Sequence, residues 1–199
     1  MSVLTRLLPI ARRPDALPPG LLADLQAFAI AEADALTPAR LTGGYISDKR
    51  ETLNLPRFWQ SDMAARIEAA LTPLFPAIMA ELGVAPFDPA VEMDLLVYRD
   101  GGHFCRHIDT ATREQSQELH RLISMVYYFH RAPAGFSGGA LRLYPIAPGA
   151  TAFTDVEPQP NLLVAFLAYV PHEVLPVRCA SGAIADSRFA LNIWLRRRA

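Results

Sequence analysis

Cysteine is scarce in this 199-residue chain, with Cys105 and Cys179 as the only two. Two thiols cannot make the set of bridges that holds small secreted domains together, so stability has to come from a buried core. Reduced thiols in a cytoplasmic protein are the expectation. Long apolar runs are also missing. The most apolar stretch, Leu162 to Val170, is about half the length needed to cross a bilayer and reads as a buried strand. No membrane association is expected. Ser2 to Arg13 holds three arginines but neither a sustained apolar core nor a small-residue cleavage site, so no signal peptide is expected. A basic excess is absent too. Lys and Arg number 19 against 20 Asp and Glu, a formal net charge of −1, which argues against nucleic acid as a partner. Arg196, Arg197 and Arg198 read as a solvated basic end. No internal repeat or low-complexity segment is visible.

What remains is globular in texture, 51% apolar and 20% charged. The length suits one domain with a full core, taken here as residues 1–199. Residues 1–90 are expected as helical support and residues 91–199 as a β core. Leu21, Leu22, Leu25, Phe28 and Ala29 recur at helical spacing, so a helix is expected from Gly20 to Leu36, ended by Thr37 and Pro38. A second helix is expected from about Ser61 to Leu71, capped by Ser61 or Asp62, with Leu74 to Leu82 continuing helically until Gly83. Residues 39 to 57 read as a hairpin or loop. After Pro89 come runs of strand length: Val91–Tyr98, His103–Ile108, Leu122–Phe129, Ala140–Tyr144, Leu162–Ala168, His172–Val177 and Arg188–Leu195. Many short strands after a helical part give the expected fold: mainly β, a cupin-like double-stranded β-helix (jelly roll) with helices outside.

The chemistry concentrates at residues 98 to 109. His107 and Asp109 stand two apart, a spacing that directs both side chains to one face of an extended strand. Both can hold one metal ion, with His172, opening a later strand, as the natural third ligand. Two imidazoles and one carboxylate on one face leave the remaining positions open, the arrangement of non-haem iron(II) oxygenases. Arg188 opens the last strand, where its cation can reach the same cavity. A buried arginine needs an anionic partner, and a dicarboxylate supplies one bidentately. His103 and Cys105 share the parity of His107 and could face the cavity as wall residues. His120 reads as a surface histidine, and His130 as hydrogen-bonded in its loop. The polar run at residues 110 to 121 follows the ligand strand and is expected at the mouth of the site, where it could touch substrate.

The pattern Tyr98, Gly101, Gly102, Phe104, His107, Asp109 resembles the prolyl 4-hydroxylase type of 2-oxoglutarate- and iron(II)-dependent dioxygenases. The blocks Val126 to Phe129, Ser137 to Arg142, Asp155 to Pro158, Pro171 to Val174 and Arg188 to Trp194 extend the likeness over most of residues 95 to 195. They are most similar to the oxygen-sensing prolyl hydroxylases and their bacterial relatives. The resemblance implies iron(II) on His107, Asp109 and His172. It implies the far carboxylate of 2-oxoglutarate on Arg188 and Tyr128, Tyr98 near the cosubstrate, and Trp194 as an aromatic wall. The core packing of Tyr98, Tyr128 and Trp194 is the plainer alternative. Fifteen residues lie between His172 and Arg188, more than the family pattern has. The extra run, about Cys179 to Asp186, reads as an inserted loop and leaves Arg178 as an alternative partner for the carboxylate. Many relatives have asparagine where His130 stands.

The implied activity is hydroxylation of a C–H bond, with O2 consumed, succinate and carbon dioxide released, and ascorbate as a reductant. A prolyl residue in a protein or peptide is the first substrate reading. A free amino acid or other small metabolite is the second. A non-catalytic cupin-like binding protein is the third, and the intact triad with its arginine counts against it. Asp109 also argues against a halogenase, which would carry a small residue there.

Overall fold

The computed structural model describes residues 9–39, 48–110, 120–146 and 152–198. Its strands are β1 (Ala11–Arg13), β2 (Thr37–Pro38), β3 (Arg50–Glu51), β4 (Leu53–Asn54), β5 (Pro89–Tyr98), β6 (His103–His107) and β7 (Arg121–Tyr128), followed by β8 (Ser137–Gly138), β9 (Leu141–Leu143), β10 (Thr154–Val156), β11 (Leu163–Leu167), β12 (His172–Val174), β13 (Val177–Arg178) and β14 (Arg188–Arg197). Helices α1 (Pro19–Ala31), α2 (Asp62–Leu71) and α3 (Phe75–Glu81) all precede β5.

The strands form a seven-stranded sheet in the order β1-β11-β7-β14-β5-β4-β2, a five-stranded sheet in the order β10-β9-β12-β6-β3, and the pair β13-β8. The pairings described are antiparallel. This mainly β architecture with few helices is the jelly roll expected. The N-terminal part contributes more than helices, since β1, β2 and β4 extend the large sheet and β3 edges the smaller one.

Alternation along the strands explains where the core sits. Met93, Leu95 and Val97 of β5 pack with Ile193 and Leu195 of β14 and with Leu25, Ile67, Leu71 and Ile78 of the helices. Leu96 and Tyr98, of opposite parity, instead cluster with Val174 and Val177 from the other sheet. One face of the large sheet thus carries the helices and the other closes the barrel. Asp62–Glu81 is long and apolar enough to cross a membrane by length and composition, with mean hydropathy 1.2. Its buried residues Met63, Ile67, Leu71, Phe75 and Ile78 recur at helical spacing and pack in the core, as a core helix requires.

The expected helix boundaries need one correction. Helix α1 stops at Ala31, not Leu36, and a 3-10 turn covers Ala33–Ala35. Leu36 is already extended, and Thr37 precedes Pro38, a position that disfavours helix. Helix α2 starts where expected, with the Ser61 hydroxyl accepting from the Ala64 N–H. Gly83, at φ 70°, ends α3.

A buried asparagine ties the lead-in to the barrel. Asn161 Oδ1 accepts from Leu17 N–H at 2.9 Å and from Tyr127 Oη at 2.8 Å, while Nδ2 donates to the Leu17 carbonyl at 2.9 Å. Its φ of 63° is a conformation that asparagine tolerates better than most residues. Asn161→Ala removes three buried hydrogen bonds and strains the backbone. It is expected to lower unfolding stability by about 3 kcal/mol in urea titration. Asn161→Gly, which relieves only the backbone, recovers about 1 kcal/mol of that loss.

Candidate active site

Strands β6 and β12 pair with His107 opposite His172. Their rings lie 4.2 Å apart, centre to centre. Asp109, two residues past His107, is anchored by its N–H donating to the Ala168 carbonyl at 2.9 Å. His107 Nε2 is 3.5 Å from Asp109 Oδ1, and His172 Nε2 is 3.5 Å from Asp109 Oδ2. One ligand atom from each residue falls within 4.8 Å of the other two. The ring tautomers follow from the backbone. His107 Nδ1 sits 2.8 Å from the Cys105 carbonyl and His172 Nδ1 2.9 Å from the Val170 carbonyl. A carbonyl only accepts, so each Nδ1 carries the proton and each Nε2 presents a lone pair to the common centre.

The rings are clamped as well. Phe104 stacks on His107 at 3.6 Å, and Phe166 meets His172 edge-on at 4.7 Å. The Ser124 hydroxyl donates to Asp109 Oδ2 at 2.6 Å. Burial alone would raise the Asp109 carboxyl. The neighbouring imidazoles of His172 and His107, with the hydrogen bond from Ser124, outweigh it and hold the group far below the usual carboxylate range. Burial pushes His172 down to about 4, against the pull of Asp109. An anionic carboxylate and a neutral imidazole are the forms that bind a metal.

Sequence parity misplaced two residues here. Between His172 and Val174, β6 runs from His107 to Phe104, three steps against two. This β-bulge shifts the alternation and turns Phe104, rather than Cys105, toward the histidines. Cys105 is exposed, and the His103 ring bonds the Gly101 and Asp48 carbonyls. The expectation that His103 and Cys105 face the cavity is overturned. His120 is exposed, as expected. Residues 111 to 119 of the polar run lie outside the described residues.

The opposite wall carries the cation. Arg188 is 0% exposed. Its Nε donates to the Gly139 carbonyl at 2.8 Å, while Nη1, Nη2 and the Tyr128 hydroxyl make no hydrogen bond. The guanidinium lies 4.7 Å from the Tyr98 ring centre and 4.9 Å from that of Tyr128. Burial raises the Tyr128 phenol, and the arginine's field opposes that rise. Gly139 is required here. At φ 71° it favours glycine, and a Cβ would lie 2.6 Å from Arg188 Cδ. Arg178 is exposed on β13, so Arg188 is the buried cation of the two. Trp194 is buried across from Ser124 on the inner face, with the Arg121 guanidinium 3.9 Å from its ring centre. Burying a guanidinium without an anion is unfavourable, so the pocket is built for a carboxylate. The triad fits a divalent metal with open positions, and the orphaned Arg188 and Tyr128 fit the distal carboxylate of 2-oxoglutarate.

Ser124 and Phe166 were missed by sequence reasoning. Ser124 had a signal, as the one aliphatic hydroxyl in the otherwise apolar and aromatic run Leu122 to Phe129. Ser124→Ala frees one oxygen of Asp109 and is expected to weaken Mn(II) affinity about 10- to 100-fold by calorimetric titration, with folding intact.

The family model described as the 2OG-Fe(II) oxygenase superfamily matches residues 93–196. The chain is 32% identical over 143 residues to a PKHD-type hydroxylase of Synechocystis sp., itself uncharacterised. That match takes in 68% of this chain and 46% of the relative, so the chain spans about half the relative's length. A crystal structure of a Pseudomonas putida prolyl-4-hydroxylase superposes with TM-score 0.70 at 29% identity, over 96% of this chain and 94% of that one. A prolyl hydroxylase from Trichoplax adhaerens, in complex with a hypoxia inducible factor oxygen degradation domain peptide fragment, gives TM-score 0.72 at 17% identity, over 94% and 83%. At that identity the likeness is one of fold.

Proposed function

Because the chain belongs to the 2OG-Fe(II) oxygenase superfamily, we propose that it is a 2-oxoglutarate- and Fe(II)-dependent dioxygenase acting on a prolyl residue in a protein or peptide. One observation carries the reading: a two-histidine, one-carboxylate cluster and a buried arginine without an anion share one barrel. The prolyl substrate is supported by the identity to Pseudomonas putida prolyl-4-hydroxylase along nearly the whole of both chains.

His107, Asp109 and His172 hold iron(II) in this reading, and Arg188 with Tyr128 holds the far carboxylate of 2-oxoglutarate. Iron and cosubstrate, once bound, supply the oxidation: dioxygen is consumed, 2-oxoglutarate leaves as succinate and carbon dioxide, and a substrate C–H becomes C–OH. The protein's own part is positional. The carbonyls of Cys105 and Val170 fix which nitrogen each histidine offers. Ser124 keeps Asp109 in place, and the rings of Phe104 and Phe166 pack against the histidines and hold their orientation. Trp194 and Tyr98 line the inner wall. Ascorbate serves as an auxiliary reductant, and the free thiols of Cys105 and Cys179 suit a cytoplasmic setting.

The test supplies Fe(II), 2-oxoglutarate and ascorbate to the protein together with proline-containing peptides, free proline and a cell lysate. A gain of one oxygen on a prolyl residue, matched by succinate, is expected. Oxygen gained by free amino acids or metabolites alone overturns the prolyl reading in favour of a small-molecule hydroxylase.

A further inference from the structure

His130 lies two residues after Tyr128, the last residue of β7, and the pairing with β14 continues through Phe129, so alternation directs both side chains to the inner side. Phe129 N–H bonds the Phe189 carbonyl at 3.3 Å and holds this stretch alongside the start of β14. The Gln26 amide donates to the His130 carbonyl at 3.1 Å and fixes the backbone from the other side. The ring is 1% exposed and meets Phe136 edge-on at 4.8 Å. Neither ring nitrogen has a hydrogen-bond partner, which overturns the expectation of bonding within the loop. Burial, aided by the field of Arg188, pushes the ring down to about 4, so it is neutral near pH 7.

Buried polar atoms are nearly always paired, and an unpaired one is destabilising. Here Tyr128 Oη, Arg188 Nη1 and Nη2, and His130 Nδ1 and Nε2 all lack partners at one end of the barrel. The distal carboxylate of a dicarboxylate offers about four acceptor positions. Arg188 and Tyr128 account for three. A neutral imidazole supplies a fourth donor through one nitrogen and an acceptor through the other.

We infer that His130 is a further cosubstrate-binding residue, donating to the distal carboxylate of 2-oxoglutarate while its second nitrogen accepts from the Arg188 guanidinium. This network leaves none of the five atoms orphaned. The inference rests on Arg188 as the carboxylate partner. Asparagine presents the same donor and acceptor on a shorter arm, whereas phenylalanine keeps the ring and loses both.

The test is calorimetric titration of 2-oxoglutarate into Mn(II)-loaded protein without oxygen, with steady-state kinetics of the Fe(II) enzyme alongside. His130→Phe is expected to weaken 2-oxoglutarate binding about tenfold, the effect of losing one hydrogen bond to a charged group. KM for 2-oxoglutarate rises with it, and kcat stays within about twofold, as for a contact made equally before and during reaction. His130→Asn binds within about threefold of the native protein. A packing role gives the reverse order, with Phe tolerated and Asn harmful, and that order overturns the inference. If His130→Phe does not fold, as judged by near-ultraviolet circular dichroism, His130→Met makes the same comparison. Arg188→Met separates the two levels. If it weakens binding and His130→Phe does not, only the role of His130 falls; if neither does, the cosubstrate pocket itself is misplaced.

Discussion

Asp109→Ala is expected to lower turnover at least about a thousandfold, roughly 4 kcal/mol of lost transition-state stabilisation. Asp109 is the only carboxylate among the three candidate ligands, and His107 and His172 both point their Nε2 at it. Removing it leaves two neutral imidazoles facing each other at 4.2 Å between ring centres. Two neutral ligands hold a divalent ion far more weakly than two with an anion. Mn(II) affinity, measured by calorimetry, should therefore fall together with activity. The fold should survive, because Asp109 keeps its backbone bond to Ala168 through the N–H and contributes no side chain to the apolar core. Full 2-oxoglutarate decarboxylation by a folded Asp109→Ala protein would remove the triad from the account. His107→Ala and His172→Ala are expected to follow the same course.

Arg188→Met gives the second large effect, and it has two signs. The native guanidinium is buried with both terminal nitrogens unbonded in the ligand-free protein. Replacing it by an apolar side chain of similar length removes an uncompensated charge and should stabilise the ligand-free protein by about 1–3 kcal/mol. On the proposed pairing of Arg188 with 2-oxoglutarate, the same change removes two charge-assisted bonds and should raise KM for 2-oxoglutarate about a hundredfold. Saturating 2-oxoglutarate at about a hundred times its Kd stabilises the native protein by about 2.7 kcal/mol, and this gain should vanish in the variant. Thermal unfolding with and without 2-oxoglutarate reads both effects. Arg178→Met, at an exposed position on β13, should change neither. If Arg178 rather than Arg188 controlled the cosubstrate requirement, the buried cation would have some other role. A stabler but inactive variant is the usual signature of a functional charge held at the expense of stability.

Much of this was legible from pattern alone. The long strands β5, β7 and β14 carry mostly apolar or alternating runs of strand length, and such runs are visible without coordinates. His107, Asp109, His172 and Arg188 were legible because their chemistry is unusual for strand positions. The short strands were not. β8 and β10 are two and three residues long and take their pairing from neighbours, leaving almost no local signal. The bulge in β6 was equally invisible. Alternation assigned Cys105 to the cavity, and the one extra residue that sends Phe104 there instead exists only in the pairing with β12. His130 shows the limit from the other side. A histidine at the end of a strand before a Pro-Gly loop suggests local bonding, and only the pairing of this stretch with the start of β14, beside Arg188, makes it a candidate for the pocket. Gly139 belongs with it, since its need to lack a Cβ arises from Arg188, far away in sequence.

With a His107–Asp109–His172 metal site and an Arg188 carboxylate pocket in one barrel, oxidation of 2-oxoglutarate should be coupled to hydroxylation. The most direct measurement supplies isotopically labelled dioxygen to the Fe(II)-loaded protein with 2-oxoglutarate and an accepted prolyl peptide, and follows the label by mass spectrometry. Label is expected in both succinate and the hydroxylated peptide, in equal amounts, and in neither product with Asp109→Ala. Hydroxylated peptide without labelled succinate, or equal labelling by the native and Asp109→Ala proteins, would contradict it.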